Sequence, residues 1–159
     1  MKTMRERAAD GLKVGDVFHT SRTFTREEVD LFAKISGDYN PVHFDAEFAQ
    51  SRNFSAPICH GLLTASLLTE IGGQIGWLAS SMNFQFKRPV YPEQAVLCEW
   101  VITEMDERGR AKASVVMTNE SGEVVLTADV GGVVSGEQQK ALLKKMVAAG
   151  DPHNPLRGS

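Results

Sequence analysis

The alternation of apolar and polar residues in the first third of the chain predicts one strand followed by a helix. Residues 16–24 have the extended pattern of a strand and follow a Val-Gly turn. Thr25 and Glu28 have the spacing of a capping box, in which each side chain bonds to the other residue's backbone N–H. The helix that begins there would end at Gly37. One face of it would carry Val29, Phe32 and Ile35.

The middle of the chain has a different pattern, because residues 60–71 are apolar or small on nearly all sides. Glu70 is the only charge in this run, and a helix without a polar face is normally buried. We therefore predict a long central helix, preceded by a shorter one that Asp45 caps and that ends near Arg52. Three glycines mark the end of the central helix: Gly72, Gly73 and Gly76.

After the central helix, apolar residues recur at every second position, which is the period of a strand. Residues 82–87 alternate apolar with polar side chains and predict a half-buried strand. Three segments rich in Val and Thr follow, separated by short turns, at residues 94–105, 110–120 and 123–135. Strands joined by tight turns pair antiparallel. The pattern therefore predicts an α+β domain in which the sheet curls around the central helix.

The C-terminal part of the chain predicts one more helix and a tail. Ser135 and Gln138 repeat the capping pattern before a helix at about residues 136–149. Its apolar side, which we expect to pack on the domain, carries Leu142, Leu143, Met146 and Val147. Residues 150–159 are expected to form a flexible tail. Residues 1–159 are thus expected to form one domain with a core at about 15–134.

Composition narrows the classes of function. The chain has 159 residues and a formal net charge of −3, which gives no global attraction for nucleic acid or an anionic membrane. We find neither a secretory signal nor an apolar run of about 20 residues, and we expect a cytoplasmic protein. Cys59 and Cys98 lie among apolar neighbours and match no metal-ligand spacing, so we expect both to be reduced core residues.

The candidate chemistry lies in residues 36–45, SGDYNPVHFD. Asp38 and His43, five positions apart, would point to different sides of an α-helix. Gly37 ends the preceding helix and Pro41 disfavours helical geometry at the residue before it, so the segment must be a loop. A loop can bring both side chains to one water, whose proton the pair can remove. A capped turn without a catalytic role explains the same residues.

The surrounding sequence resembles a known family. Residues 32–43, FAKISGDYNPVH, resemble the signature of the MaoC-like (R)-specific enoyl-CoA hydratases, an aromatic residue followed by small-Gly-Asp-x-Asn-Pro-aliphatic-His. Residues 52–68 are similar to the segment that leads into that family's central helix, and residues 84–92 to its next strand. The resemblance covers about residues 15–134. It implies the hot-dog fold, an antiparallel sheet wrapped around one long helix, usually in a homodimer.

The resemblance also implies three catalytic residues. Asp38 and His43 would bind and activate the water that adds to the substrate double bond. Gly61, at the start of the central helix, would donate its backbone N–H to the thioester carbonyl as negative charge develops there. No metal or redox cofactor is expected, because the thioester already acidifies the α-carbon. Coenzyme A enters as part of the substrate.

Four further residues would bind the substrate or support the site: Asn40, Thr69, Lys87 and Arg88. The first would orient the loop, the second would bring a hydroxyl near the site, and the two cations could meet coenzyme A phosphates. Ordinary turn, helix and strand-end roles explain these residues equally. We expect His60 to be a helix-entry residue rather than a participant, and His19 and His153 to have structural or surface roles.

The leading hypothesis is therefore an (R)-specific enoyl-CoA hydratase, a hydro-lyase that reversibly adds water to a trans-2-enoyl-CoA. A dehydratase acting on an acyl-carrier-protein thioester is one alternative. A hot-dog acyl-CoA thioesterase is another, which Glu70 on the central helix keeps open. An acyl-CoA-sensing regulator is a third, although we expect the first 15 residues to be too short for a DNA-binding element. The expected partners are an acyl-CoA thioester and a second copy of the chain, without nucleic acid or membrane.

Overall fold

A computed structural model describes residues 1–158, and Ser159 lies outside the described residues. One sheet contains the strands β1 (Val17–Thr23), β2 (Leu78–Phe86), β3 (Ala95–Met105), β4 (Arg110–Asn119) and β5 (Val124–Val133). The helices of the described chain are α1 (Met4–Asp10), α2 (Arg26–Ser36), α3 (Ala46–Ser51), α4 (Gly61–Ala65), α5 (Leu67–Gln74) and α6 (Glu137–Ala148). None of these helices is both long enough and apolar enough to cross a membrane.

The sheet is antiparallel throughout, in the order β1-β3-β4-β5-β2. Its buried face alternates with a period of two, as in β3, where Val96, Cys98, Trp100 and Ile102 point inward. Helix α5 supplies the opposite side of the core through Leu67, Leu68 and Ile71, each at most 2% exposed. The predicted α+β architecture, with a sheet packed on a buried helix, is confirmed.

The central helix differs from the prediction because it is divided into two segments. Segments α4 and α5 meet at Ser66, which keeps right-handed helical angles. The Ser66 hydroxyl donates to the Leu63 carbonyl, and the Thr69 hydroxyl donates to the Ser66 carbonyl, both at 2.6 Å. Such bonds from hydroxyls back to the preceding turn bend helices. The helix continues through Gly72 and Gly73 to Gln74. Of the three glycines predicted to end it, only Gly76 has a left-handed φ, of 67°.

Two predicted apolar faces are exposed in the single chain. Strand β2 was expected to be half-buried, yet all its residues except the partly buried Phe84 are exposed. Strand β2 lies at the edge of the sheet, pairs only with β5, and has neither of its faces covered in the described chain. Ile35, expected to share the buried face of α2, is 84% exposed, while Val29 and Ala33 are buried. Other parts of the prediction hold, since Thr25 and Asp45 cap α2 and α3.

The chain termini pack against the end of α5, in an arrangement that the sequence did not predict. Helix α1 was missed altogether. Residues 150–159 were expected to be a flexible tail, but Asp151 and Asn154 are each 6% exposed. Asn154 exchanges two amide hydrogen bonds with Gln74, and Arg5 donates to the Gln74 carbonyl. We call Arg5, Gln74, Asp151 and Asn154 the terminal clasp.

Helix α6 matches its prediction in position but not in detail. Gly136, rather than Ser135, occupies the N-cap position, and its N–H donates to the Gln139 side chain. Of the predicted apolar stripe only Leu143 is buried, whereas Leu142 and Met146 are almost half exposed. The stripe is narrower than expected because the helix rests mainly on the short helix α1.

Candidate active site

Local hydrogen bonds shape the loop that carries Asp38 and His43. Gly37, at a left-handed φ of 74°, ends α2, a conformation that costs glycine little. The Asp38 N–H then donates to the Ser36 hydroxyl, and the Asn40 N–H donates to the Asp38 carboxylate, both at 3.1 Å. The Asn40 side chain accepts from the N–H of Val42 and so begins a 3₁₀ turn at Pro41–His43. The loop is thus not α-helical, as the sequence predicted.

The loop brings the two predicted side chains together. Oδ2 of Asp38 lies 3.6 Å from Nε2 of His43. This distance is too long for a direct hydrogen bond and suits two groups that share a bridging water. Nδ1 of His43 lies 2.8 Å from the Ile58 carbonyl, which can only accept. The neutral ring therefore carries its hydrogen on Nδ1 and its lone pair on Nε2, facing the carboxylate.

Burial favours the neutral form of His43. The side chain is only 8% exposed, and desolvation lowers its pKa from 6.5. The hydrogen bond to Ile58 and the Asp38 carboxylate oppose this shift, whereas His60 and Arg26 reinforce it. A buried imidazole with a lowered pKa keeps a free lone pair at neutral pH, which is the state a general base requires.

His60 is in contact with both members of the pair. Its ring stacks on the His43 ring with centroids 3.9 Å apart and planes 30° from parallel. Its Nε2 lies 2.9 Å from the backbone carbonyl of Asp38, so Nε2–H is the donor. The ring is 1% exposed. The sequence predicted only a helix-entry residue here, since stacking between positions 43 and 60 leaves no local signal.

A cavity of about 670 Å³ opens beside the pair. Asp38, His60 and Gly61 form part of its wall. His43 lies behind the wall, in contact with Asp38 and His60. The apolar part of the wall includes Phe32, Phe54, Ile58, Leu62, Phe86 and Val90. The cavity is therefore mostly apolar, with its polar groups gathered at one end, as small-molecule sites commonly are.

Gly61 begins helix α4, and helix geometry leaves its N–H without an intrahelical acceptor. An ideal Cβ on Gly61 would lie 2.8 Å from Cε1 of Phe86, which is closer than real Cβ atoms approach. Phe86 is half exposed and stacks on Phe84, so the ring closes over the helix start from the solvent side. The position of Gly61 agrees with the prediction; the role of Phe86 was missed.

Of the remaining predicted site residues, Lys87 and Arg88 line the cavity, whereas Thr69 does not. Lys87 and Arg88 line the cavity at the end of β2, where Lys87 donates to Gln85 and Arg88 lies 3.6 Å from Glu123. Thr69 is exposed, lies outside the cavity wall and donates its hydroxyl to the Ser66 carbonyl. The wall contains Thr64 instead, a residue that nothing in the sequence distinguished.

Glu70 does not belong to the cavity. Its carboxylate accepts a hydrogen bond of 2.6 Å from the hydroxyl of Thr20 on β1, and Glu70 is absent from the cavity wall. The thioesterase alternative, in which Asp38 would activate water against the carbonyl, was kept open by the carboxylate of Glu70 on the central helix. The position of Glu70 removes that support.

Asp38, His43 and His60 together offer three possible metal ligands. One ligand atom from each residue lies within 4.8 Å of the other two. Two imidazoles on one tetrahedral zinc ion, each bound at about 2.0–2.1 Å, hold their ring centroids roughly 5 Å apart. The stacked rings here are 3.9 Å apart and would have to separate. The arrangement suits stacking better than ligation. The expectation that the reaction needs no metal ion stays a prediction.

An antiparallel sheet packed on a central helix, with an Asp-His pair beside the helix start, defines a hot-dog domain with a candidate active site at that end of the helix. The family model described as MaoC like domain matches residues 12–125. The chain belongs to the MaoC-like family, as the sequence signature predicted.

Three comparisons, two of sequence and one of structure, narrow the reaction class. The chain is 36% identical over 104 residues to the (R)-specific enoyl-CoA hydratase of Aeromonas caviae, covering 63% of this chain and 78% of the relative. It is 36% identical over 88 residues to a mitochondrial 3-hydroxyacyl-[acyl-carrier-protein] dehydratase of Arabidopsis thaliana, covering 54% of this chain but only about half, 53%, of the relative. The solved (R)-hydratase of A. caviae superposes with a TM-score of 0.73 at 31% identity, covering 79% and 98% of the two chains. These relatives support the hydro-lyase class.

Proposed function

We propose that the chain is an (R)-specific enoyl-CoA hydratase, which reversibly converts a trans-2-enoyl-CoA and water into an (R)-3-hydroxyacyl-CoA. The observation that carries the proposal is the 3.6 Å separation of Asp38 Oδ2 and His43 Nε2 beside a largely apolar cavity. A water molecule bound to both atoms would face a substrate held in that cavity. The (R)-specific hydratase of A. caviae, similar in sequence and structure, supports the assignment.

The proposed reaction follows from the protonation states of the pair. The lone pair of neutral His43 Nε2, or the Asp38 carboxylate, takes a proton from the bridging water. The water oxygen bonds to C3 of the substrate, and the electrons of the double bond move onto the thioester oxygen. The enolate then collapses as C2 takes a proton back from the pair. Elimination of water is the same path in reverse.

The negative charge on the thioester oxygen needs a donor, and the backbone N–H of Gly61 is the proposed one. A preorganised donor in a site from which water is excluded contributes more than the same bond would in water. Because this N–H and the thioester itself stabilise the enolate, the scheme requires neither a metal nor a redox cofactor. Lys87 and Arg88, at the rim of the cavity, are proposed to meet coenzyme A phosphates.

The decisive experiment follows the loss of conjugated absorbance when the protein is incubated with short and medium trans-2-enoyl-CoAs, and then determines the configuration of the product. Asp38→Asn and His43→Asn are matched variants: the first keeps the shape, and the second keeps a donor toward Ile58. Each is expected to lower kcat by about 10²–10⁴-fold. His19→Gln, at an exposed residue outside the cavity wall, should change kcat less than twofold. An (S) product, or unchanged turnover in both site variants, would overturn the proposal.

A second candidate keeps the chemistry and changes the carrier of the acyl group. The Arabidopsis relative acts on an acyl-carrier-protein thioester, which is the observation that favours it. The two candidates separate when crotonyl-CoA and crotonyl-acyl-carrier-protein are compared as substrates of the same preparation. A kcat/KM at least tenfold higher with the carrier protein would replace the coenzyme A assignment and leave the roles of Asp38 and His43 intact.

We further propose that two copies associate, because the exposed edge of β2 leaves unpaired backbone groups beside Leu78, Met82 and Phe86, which are 38–74% exposed. Light scattering on the purified protein tests this. A monomer at the working concentration of the enzyme would contradict it.

A further inference from the structure

We propose that His60 is a positioning residue of the Asp38–His43 pair. It fixes the Asp38 backbone and the orientation of the His43 ring relative to each other, and it exchanges no proton with the substrate. The inference rests on the proposed function, which assigns the water to this pair. It concerns a residue that the sequence signature of residues 32–43 does not include.

His60 makes one directional contact with each member of the pair. Its Nε2–H donates to the Asp38 carbonyl at 2.9 Å, which restrains the loop at the residue that carries the carboxylate. Its ring covers the His43 ring at a centroid distance of 3.9 Å. Whereas His60 lies against the face of the His43 ring, the Ile58 carbonyl binds Nδ1 at its edge. Together, the Ile58 bond and the His60 stack restrict the direction in which Nε2 can point.

The environment of His60 argues against a direct catalytic role. Its Nε2 is occupied by the Asp38 carbonyl, and its Nδ1 is buried without a hydrogen-bond partner in the described chain. A group that transfers a proton to substrate must come within hydrogen-bond reach of it or of a bound water. Phe32 packs on the ring at 4.9 Å, which further fixes its plane. His60 can therefore act on the reaction through its neighbours.

The same contacts influence the charge state of His43. The charged or titratable groups that face this ring are Asp38 from its own loop, His60 from the start of α4, and Arg26 from α2, whose guanidinium donates to the His43 carbonyl. Burial is the main cause of the lowered pKa of His43, and His60 adds to it while Asp38 opposes it. Replacing His60 should therefore let the pKa of His43 rise.

Three substitutions separate the two contacts. His60→Gln keeps an N–H donor where Nε2 lies but removes the stacked ring. His60→Phe keeps an aromatic ring against His43 but removes the donor, and His60→Ala removes both. Each variant is compared in kcat and KM, in thermal unfolding, and in an NMR titration of the ¹⁵N-labelled His43 ring, which requires no substrate.

His60→Ala is expected to lower kcat by about 10²-fold, as a misplacement near 1 Å does, with KM changed less than threefold. His60→Gln and His60→Phe should each recover at least threefold of that loss, and the His43 titration should move to higher pH in all three. If His60→Ala fails to fold, the Gln and Phe variants carry the comparison with the wild type. Folded variants with unchanged kcat and an unchanged His43 titration would overturn the inference.

The two proposals fail in different ways. If the wild type hydrates no enoyl thioester, the proposed function is wrong, yet the NMR titration still decides whether His60 controls the His43 ring. If the wild type is active and the variants behave like it in both measurements, only the positioning role is wrong.

Discussion

Asn154 offers a quantitative test of the terminal clasp. Its amide nitrogen donates to Gln74 at 2.9 Å and to Asp151 at 2.8 Å, and its amide oxygen accepts from Gln74 at 3.0 Å. Gln74 is 5% exposed, so water does not replace these bonds freely. Asn154→Ala leaves a donor and an acceptor of Gln74 unpaired, and an unpaired buried polar group costs about 1–3 kcal/mol.

Taking about 3 kcal/mol for the whole change, and about 2–4 °C in Tm per kcal/mol for a chain of this size, we expect Tm to fall by about 6–12 °C. Circular dichroism during heating measures the shift, and urea unfolding gives the free energy independently. His153→Ala, at an exposed neighbouring position, should change the free energy of unfolding by no more than about 0.5 kcal/mol.

The double variant Gln74→Leu, Asn154→Leu distinguishes an unpaired polar group from a packing defect. Replacing both partners with apolar side chains removes the unpaired groups of Gln74, and such paired replacement can be nearly neutral. The bond from Asn154 to Asp151 is lost in both variants, so the comparison between them reports on the Gln74 pair alone. We expect the double variant to be more stable than Asn154→Ala. A fall in Tm of less than about 2 °C for Asn154→Ala would refute the reasoning, as would a double variant less stable than the single one.

Three further predictions concern the candidate site and the two cysteines. Because the pKa of His43 is lowered below 6.5, a reaction in which the neutral ring takes the proton should lose half of its kcat/KM only below pH 6.5; a midpoint of the acidic fall above pH 7 would contradict this. Gly61→Ala should displace the Phe86 ring and lower kcat at least tenfold while Tm changes little, with Phe86→Leu restoring part of the loss. Burial raises the pKa of Cys59 to about 11 and of Cys98 to about 12, so a thiol reagent should label neither in the folded protein and both after unfolding.

Features that depend on a few neighbouring residues could be predicted from the sequence. The capping box of Thr25 and Glu28, the left-handed Gly37 and the Asp45 cap all involve groups within four positions. The meeting of Asp38 and His43 belongs to the same class, because Gly37 and Pro41 leave the short loop few other paths. The periodic strands β3, β4 and β5 were predictable because alternation is also a local property.

Features that join distant residues left no such signal. The amide pair of Gln74 and Asn154 spans 80 positions, and either residue alone is typical of an exposed surface. The stacking of His60 on His43 depends on where α4 begins in space, and the ring of Phe86 reaches Gly61 from another element. The exposure of β2 was mispredicted because alternation shows which residues share a face, but not whether anything covers it.

The central helix, made of α4 and α5, separates the residues that shape the cavity from the residues of the terminal clasp. About 13 residues separate Gly61 from Gln74, which at about 1.5 Å per residue amounts to about 20 Å between the proposed thioester-binding N–H and the clasp. Substitutions so far apart, without shared partners, add in their effects on stability. A tighter clasp would therefore offset destabilising changes in the cavity wall, including those that alter which acyl groups fit. Substrate preference can thus diverge at one end of the helix while the other keeps the chain folded.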